Sequence, residues 1–141
     1  MRETRFRAWD KEESKYINIE KFYISPYDGA VIDMGGYEYR DAVLEQYTGL
    51  KDKNGVNIYE GDIVQHYESK EDISIVRFGE FGVPNMAEEV YQDRAVGFYY
   101  ENASNLKNVA PFDMTVPVNT IYTQNAEVIG NIHKNTELLQ E

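Results

Sequence analysis

Gln46-Tyr47-Thr48-Gly49-Leu50-Lys51-Asp52-Lys53-Asn54-Gly55-Val56-Asn57-Ile58-Tyr59-Glu60-Gly61-Asp62-Ile63-Val64 holds the strongest local signals in the chain. Asn54-Gly55 is a two-residue turn signal, because both residue types tolerate positive φ at little cost. Val56, Ile58 and Tyr59 resume an extended pattern directly after it. Gly61-Asp62 makes a second tight turn, and the β-branched pair Ile63-Val64 opens a strand. The stretch predicts a hairpin, with Lys51-Asp52-Lys53 solvated at its tip, leading into a barrel-type strand. It specifies a fold and no chemistry.

Upstream, residues 4–9 alternate, with Phe6 and Ala8 on one face and Arg5, Arg7 and Trp9 on the other. A polar turn at 10–15 leads to Tyr16, Ile17 and Ile19, a second strand expected to reach Phe22, so the N-terminus reads as a β-hairpin. Ser25-Pro26-Tyr27-Asp28-Gly29 is a turn. A short strand over 30–34 ends at Gly35-Gly36, and no Lys-Ser or Lys-Thr follows, so the glycine pair is no phosphate loop. Residues 42–47 read as a strand running into the hairpin.

Downstream, 63–67 continues the strand and 68–72 is a charged loop. Both faces of 73–78 carry apolar groups, as in a strand buried on both sides. Gly79 to Pro84 is expected to close it. Asn85, with Glu88 three residues on, predicts a capped helix over 86–92. Residues 95–100 form the most aromatic strand. The irregular 101–119 carries Pro111 and Pro117, and Val116, Val118 and Ile121-Tyr122 suggest an edge strand, where proline is tolerated. The last strand, 126–133, bends at Gly130, and Asn135 caps a helical turn through Leu139.

The expected fold is mainly β: a small SH3-like or partly open β-barrel with an N-terminal β-hairpin extension and one or two short helices. Residues 1–40 form the extension and 41–141 the barrel-like core. The chain has 141 residues, 25 acidic against 14 basic, for a net charge of −11. That balance favours solubility and disfavours general binding to nucleic acid, which draws on Lys and Arg at phosphates. The absence of cysteine excludes disulfides and thiolate metal sites. The charged N-terminus lacks a secretory apolar run, and no stretch approaches the ~18 apolar residues of a membrane span. A soluble, cytoplasmic protein is expected.

Candidate chemistry is sparse. Arg2, Arg5 and Arg7 are the one dense positive cluster. They suit either cross-strand pairing with Glu12, Glu13 or Glu20 or, as an alternative, contact with nucleic-acid phosphates. His66 and His133 stand at strand ends with no metal-ligand spacing. Ser14, Ser25, Ser69 and Ser74 lie outside any strand-turn-helix elbow. The carboxylates are too numerous for any pair to single itself out as acid and base. A Gly-Asp turn opening a β-branched strand recurs in SH3-like barrels, including toxin endoribonucleases, but fold similarity does not transfer function. After Val64 the chain offers only His66 and Lys70 near that turn. Phe98-Tyr99-Tyr100 could stack bases, yet no basic groove accompanies it, so packing is the better reading.

Tyr47 to Gly55 and Ile58 to Val64 together resemble the signature of the YopX family of phage and prophage proteins. Phe6-Arg7-Ala8-Trp9-Asp10-Lys11 is similar to the family's start. Glu127-Val128-Ile129-Gly130-Asn131-Ile132 through Glu137-Leu138-Leu139 is similar to its end. The likeness runs the length of the chain, though 20–40 and 79–120 carry little of it. Many members have Pro where Thr136 stands, and Thr fits a first helical turn as well. The resemblance implies a mostly β protein encoded by a phage or prophage, with no assigned activity, cofactor or catalytic residue to transfer. The expected role is that of a non-enzymatic accessory protein acting by contact with a phage or host protein or with further copies of itself; the alternatives are a nucleic-acid-binding module using Arg2, Arg5 and Arg7, and a hydrolase or nuclease using carboxylates.

Overall fold

The structure is a computed structural model that describes residues 4–70, 72–85, 90–103 and 115–139, with backbone alone at 19, 83–85 and 90–93. The chain is mainly β, 53% strand, with a curled half-barrel sheet. Its contacts divide it into two units, Met1–Tyr47 and Thr48–Glu141.

In the first unit, strand β1 (Phe6–Asp10) pairs antiparallel with β2 (Lys15–Tyr16) and with the start of β5 (Ala42–Lys51), from Phe6↔Gln46 to Asp10↔Ala42. The second strand stops at Tyr16, short of the expected Phe22. Asn18 diverts it: its side chain accepts the Glu20 N–H and its carbonyl accepts the Lys21 N–H, closing a 3-10 turn over Ile19–Lys21. A local Asx bond of this kind competes directly with a sheet ladder. Strands β3 (Phe22–Ile24) and β4 (Val31–Asp33) then form a hairpin of their own. Ala8, Phe22 and Val31 make the core, flanked by Ile17, Ile24, Tyr39, Ala42 and Leu44.

In the second unit, β6 (Asn57–Tyr59) follows the turn, and the five-stranded sheet has the order β10-β9-β8-β7-β11. These are β7 (Asp62–His66), β8 (Ile73–Asn85), β9 (Val90–Asn102), β10 (Val116–Pro117) and β11 (Ala126–Asn131). Ile58, Val64, Val76, Tyr100 and Ala126 form the core beneath it. Pro117 lies on the edge strand, where its missing N–H costs no ladder bond. Ile121 and Tyr122 do not extend that edge. They belong to one helical turn, α1 (Thr120–Thr123), because the Asn119 side chain accepts the Tyr122 N–H at 2.9 Å. Gly130 sits at a register shift in β11, and a Cβ there would lie 2.5 Å from Asn135 Oδ1, which itself accepts the Asn131 N–H.

Two expectations fail in β8 and β9. Gly79 to Pro84 does not end the strand, and Val90 to Gln92 is strand, not helix; 86–89 lie outside the described residues. Cross-strand pairing overrides the local capping signature: β8 and β9 run together from Ser74↔Asn102 to Asn85↔Val90. Gly79 faces Gly97 in this ladder, and the rings of Phe81 and Tyr99 stack at 5.1 Å over the bare pair. The two glycines therefore mark a place where aromatic rings lie on backbone, which a strand interior tolerates.

Candidate functional site

The buried polar groups come first, since they are where chemistry would sit. Asp52, expected solvated at the hairpin tip, is 6% exposed. Its Oδ1 accepts the N–H groups of Asn54 (2.8 Å) and Val56 (2.9 Å), and its Oδ2 accepts Val128 N–H at 2.9 Å. The Asp52 N–H donates to the Val56 carbonyl, the Gly55 N–H to the Asp52 carbonyl, and Gly55 takes φ +82°. The turn is thus a five-residue loop wound on a carboxylate, in place of a bare two-residue hairpin. Asp33-Met34-Gly35-Gly36-Tyr37 in the first unit repeats it bond for bond: Asp33 Oδ1 accepts from Gly35 and Tyr37, both at 2.8 Å, and Gly36 takes φ +91°. The glycine pair once open to a phosphate-loop reading has its amides turned on Asp33. Asp62 performs the same office at the second turn, accepting the Tyr59 N–H at 2.8 Å beside Gly61 at φ +88°. All three aspartates are fastened to backbone donors.

His66, 7% exposed, lies with Nε2 3.2 Å from Ser74 Oγ and its ring edge-on to Tyr100 at 4.9 Å. The Tyr100 hydroxyl meets Thr123 Oγ1 at 2.8 Å, and burial pushes the phenol up to about 12. Burial holds the His66 imidazole below its ordinary value, with the nearby Asp72 charge opposing. The sign of the linkage follows. The unfolded chain protonates this histidine first as pH falls through about 6.5, so His66 contributes full stability above that pH and progressively less as pH drops toward its folded value. Urea midpoints at pH 7.5 and 5.5 should fall more for the wild type than for His66→Gln; equal falls would contradict it.

The arginine cluster is divided. Arg2 lies outside the described residues. Arg5 is exposed at the start of the chain's first strand. Arg7 is held by Glu45: its Nε donates to Glu45 Oε1 at 2.8 Å, and its guanidinium lies 4.7 Å from the Tyr16 ring centre. Glu45 also accepts the Tyr16 hydroxyl at 3.0 Å. Glu13 pairs instead with Lys15.

Among the described residues no group of three or more His, Cys, Asp or Glu side chains is placed to hold a metal ion. The cavity along Leu50, Asp52, Lys53, Thr120, Thr123 and Gln124 holds about 170 Å³, below the ~300 Å³ where ligand pockets begin. One in the first unit, between Asp10, Tyr16, Lys21 and Tyr39, holds about 310 Å³. Lys15, on its lining, has its pKa raised by the hydrogen bond to Glu13, which favours the charged ammonium.

Among the described residues, one face of the β8–β9 ribbon is left exposed. Strand β7 pairs with β8 only as far as Ile75, and β10 pairs with β9 only at Tyr99 and Tyr100. Beyond those points no described strand flanks the ribbon. Side chains alternate, so the face that buries Val76 and Tyr100 at its root continues outward as Phe78, Phe98, Glu80 and Val96. Phe78 is 52% and Val96 73% exposed, and Phe78 meets Phe98 edge-to-face at 5.0 Å. Glu80 and Arg94 form an ion pair on its rim. Sequence reading placed Phe78, Val96 and Phe98 in strands but took 73–78 as buried on both sides and Phe98 as packing, so it did not find their exposure.

The YopX protein family matches residues 5–140. The chain belongs to the YopX family. This YopX-family chain is also similar to a solved structure, the crystal structure of protein EF1440 from Enterococcus faecalis. The two are 26% identical, the likeness covers 99% of this chain and 100% of that one, and the TM-score is 0.54. No curated protein matches it. No described helix is long and apolar enough to cross a membrane.

Proposed function

We propose that this YopX-family protein is a phage- or prophage-encoded accessory protein that works by protein–protein contact and not by catalysis. The observation that carries this reading is the open apolar face of the β8–β9 ribbon, with Phe78 and Val96 half or more exposed beside a polar rim. An apolar centre with a charged edge is the anatomy of a contact surface. The carboxylates Asp33, Asp52 and Asp62 all hold backbone amides, which supports assigning them to folding. The test is retention of phage or host proteins from infected-cell lysate on the immobilised full chain. A specific protein should bind the wild type and be lost with Val96→Glu, which places a charge at the centre of the face. A chain that acts on this surface cannot show identical retention by both forms.

A further inference from the structure

We propose that Asn54 is a site of spontaneous deamidation and that the loop wound on Asp52 sets its rate. The reaction is attack by a backbone nitrogen on the side chain of the preceding asparagine. Its place is decided by what the following residue carries, by whether the side-chain amide is engaged, and by whether the attacking N–H is engaged. The first two conditions single out Asn54. It is the only asparagine in the chain followed by glycine. Glycine has no Cβ to stand between the nitrogen and the amide carbon, whereas Asn18, Asn57 and Asn131 precede isoleucine with its branched Cβ. Gly55 is exposed, and even a Cβ added there would meet nothing within 4 Å. The side chains of Asn18, Asn119, Asn131 and Asn135 are occupied in accepting backbone N–H groups. Asn54 is exposed, and among the described residues only its backbone is held.

The third condition works the other way. The Gly55 N–H donates to the Asp52 carbonyl at 3.0 Å, and the Asn54 and Val56 N–H groups end on Asp52 Oδ1. While these bonds stand the nucleophile is engaged. Reaction therefore waits for the loop to open, and the bond from Val128 N–H to Asp52 Oδ2 opposes opening. In the open loop the Gly55 nitrogen bonds to Asn54 Cγ and the Cγ–Nδ2 bond breaks. The proton of that nitrogen leaves with Nδ2 as ammonia, and a cyclic imide remains. Water then adds at Cγ to give aspartate, or at the main-chain carbonyl to give isoaspartate; no electrons are gained or lost. Isoaspartate places one extra backbone atom between the Asp52 donor at 54 and those at 55 and 56, which moves them out of register with one another.

The test is peptide mapping by mass spectrometry of the full chain held for weeks in warm, mildly alkaline buffer. Asn54 should convert before any other asparagine, and Asn54→Gln should remove the modified peptide. The folded wild type should convert about tenfold or more slowly than the chain unfolded in urea, because opening precedes reaction. Asp52→Asn, folded by circular dichroism, should convert several-fold faster than the wild type in native buffer, since it weakens the anchor. The deamidated fraction, separated by ion exchange on its added negative charge, should unfold at lower urea than the unmodified chain. Conversion at other asparagines while Asn54 stays intact overturns the site. Equal rates in the folded and unfolded chain overturn the control by the loop, as does a folded Asp52→Asn that converts no faster than the wild type. The folded-against-unfolded comparison needs no substitution, so it decides the matter even for a variant that does not fold.

Discussion

Asp52→Ala should cost the second unit about 3–5 kcal/mol of unfolding free energy, a large part of the ~5–15 kcal/mol that a domain has in total. The estimate follows from the donors. Three backbone N–H groups, those of Asn54, Val56 and Val128, end on this one carboxylate. Each hydrogen bond to a charged acceptor contributes about 1.5–3 kcal/mol, and the exposed loop amides recover part of that from water. Asp52→Asn keeps one oxygen and replaces the other by a donor that faces an N–H, so it should fall between, at about 1–2 kcal/mol. Urea unfolding followed by far-ultraviolet circular dichroism measures both. A loss under about 1 kcal/mol for the alanine variant would show that the loop does not depend on the carboxylate.

Glu45→Ala should cost about 2–3 kcal/mol in the first unit. Glu45 is 2% exposed and accepts from both the Arg7 guanidinium and the Tyr16 hydroxyl. Removing one member of a buried ion pair costs about 3–5 kcal/mol, and Arg7 at 22% exposed recovers some of it through hydration. Arg7→Lys keeps the charge and loses the planar group above the Tyr16 ring, so about 1 kcal/mol is expected. The readout is built in. Trp9, the single tryptophan, lies in β1 with its ring 4.9 Å from Tyr16, so its fluorescence follows this unit. An unshifted tryptophan transition in Glu45→Ala would dismiss the ion pair as a stabilising element.

The glycines carried most of what could be read from the sequence. Gly55 and Gly61 both stand at positive φ in turns, and the strands on either side of them form as their alternation predicts. Pro117 on an edge and the close approach at Gly130 were legible for the same reason: each residue type admits few backbone settings. Asp52 was not legible as a buried anchor. Between Lys51 and Lys53 it looks like a solvated tip, and its third donor, Val128, is 76 residues away. The length of the ribbon was hidden as well. Gly79, Gly82 and Pro84 resemble punctuation unless one knows that Gly97 lies opposite and that Phe81 and Tyr99 cover the gap. Both misses concern partners distant in the chain, which local propensity does not encode.

The bond from Val128 to Asp52 also sets an order of assembly on the ribosome. A chain made from its N-terminus exposes the anchor loop long before β11 exists, and the loop carries an unfilled oxygen until the last strand emerges. β7 waits likewise, with one side unpaired, because its neighbour there is β11. In the first unit β1 finds its partner stretch of β5 within the first 47 residues. A reading frame cut just before β11 would therefore leave β7 with one unpaired side and the anchor loop without its third donor, while the pairing of β1 with β5 is already encoded upstream.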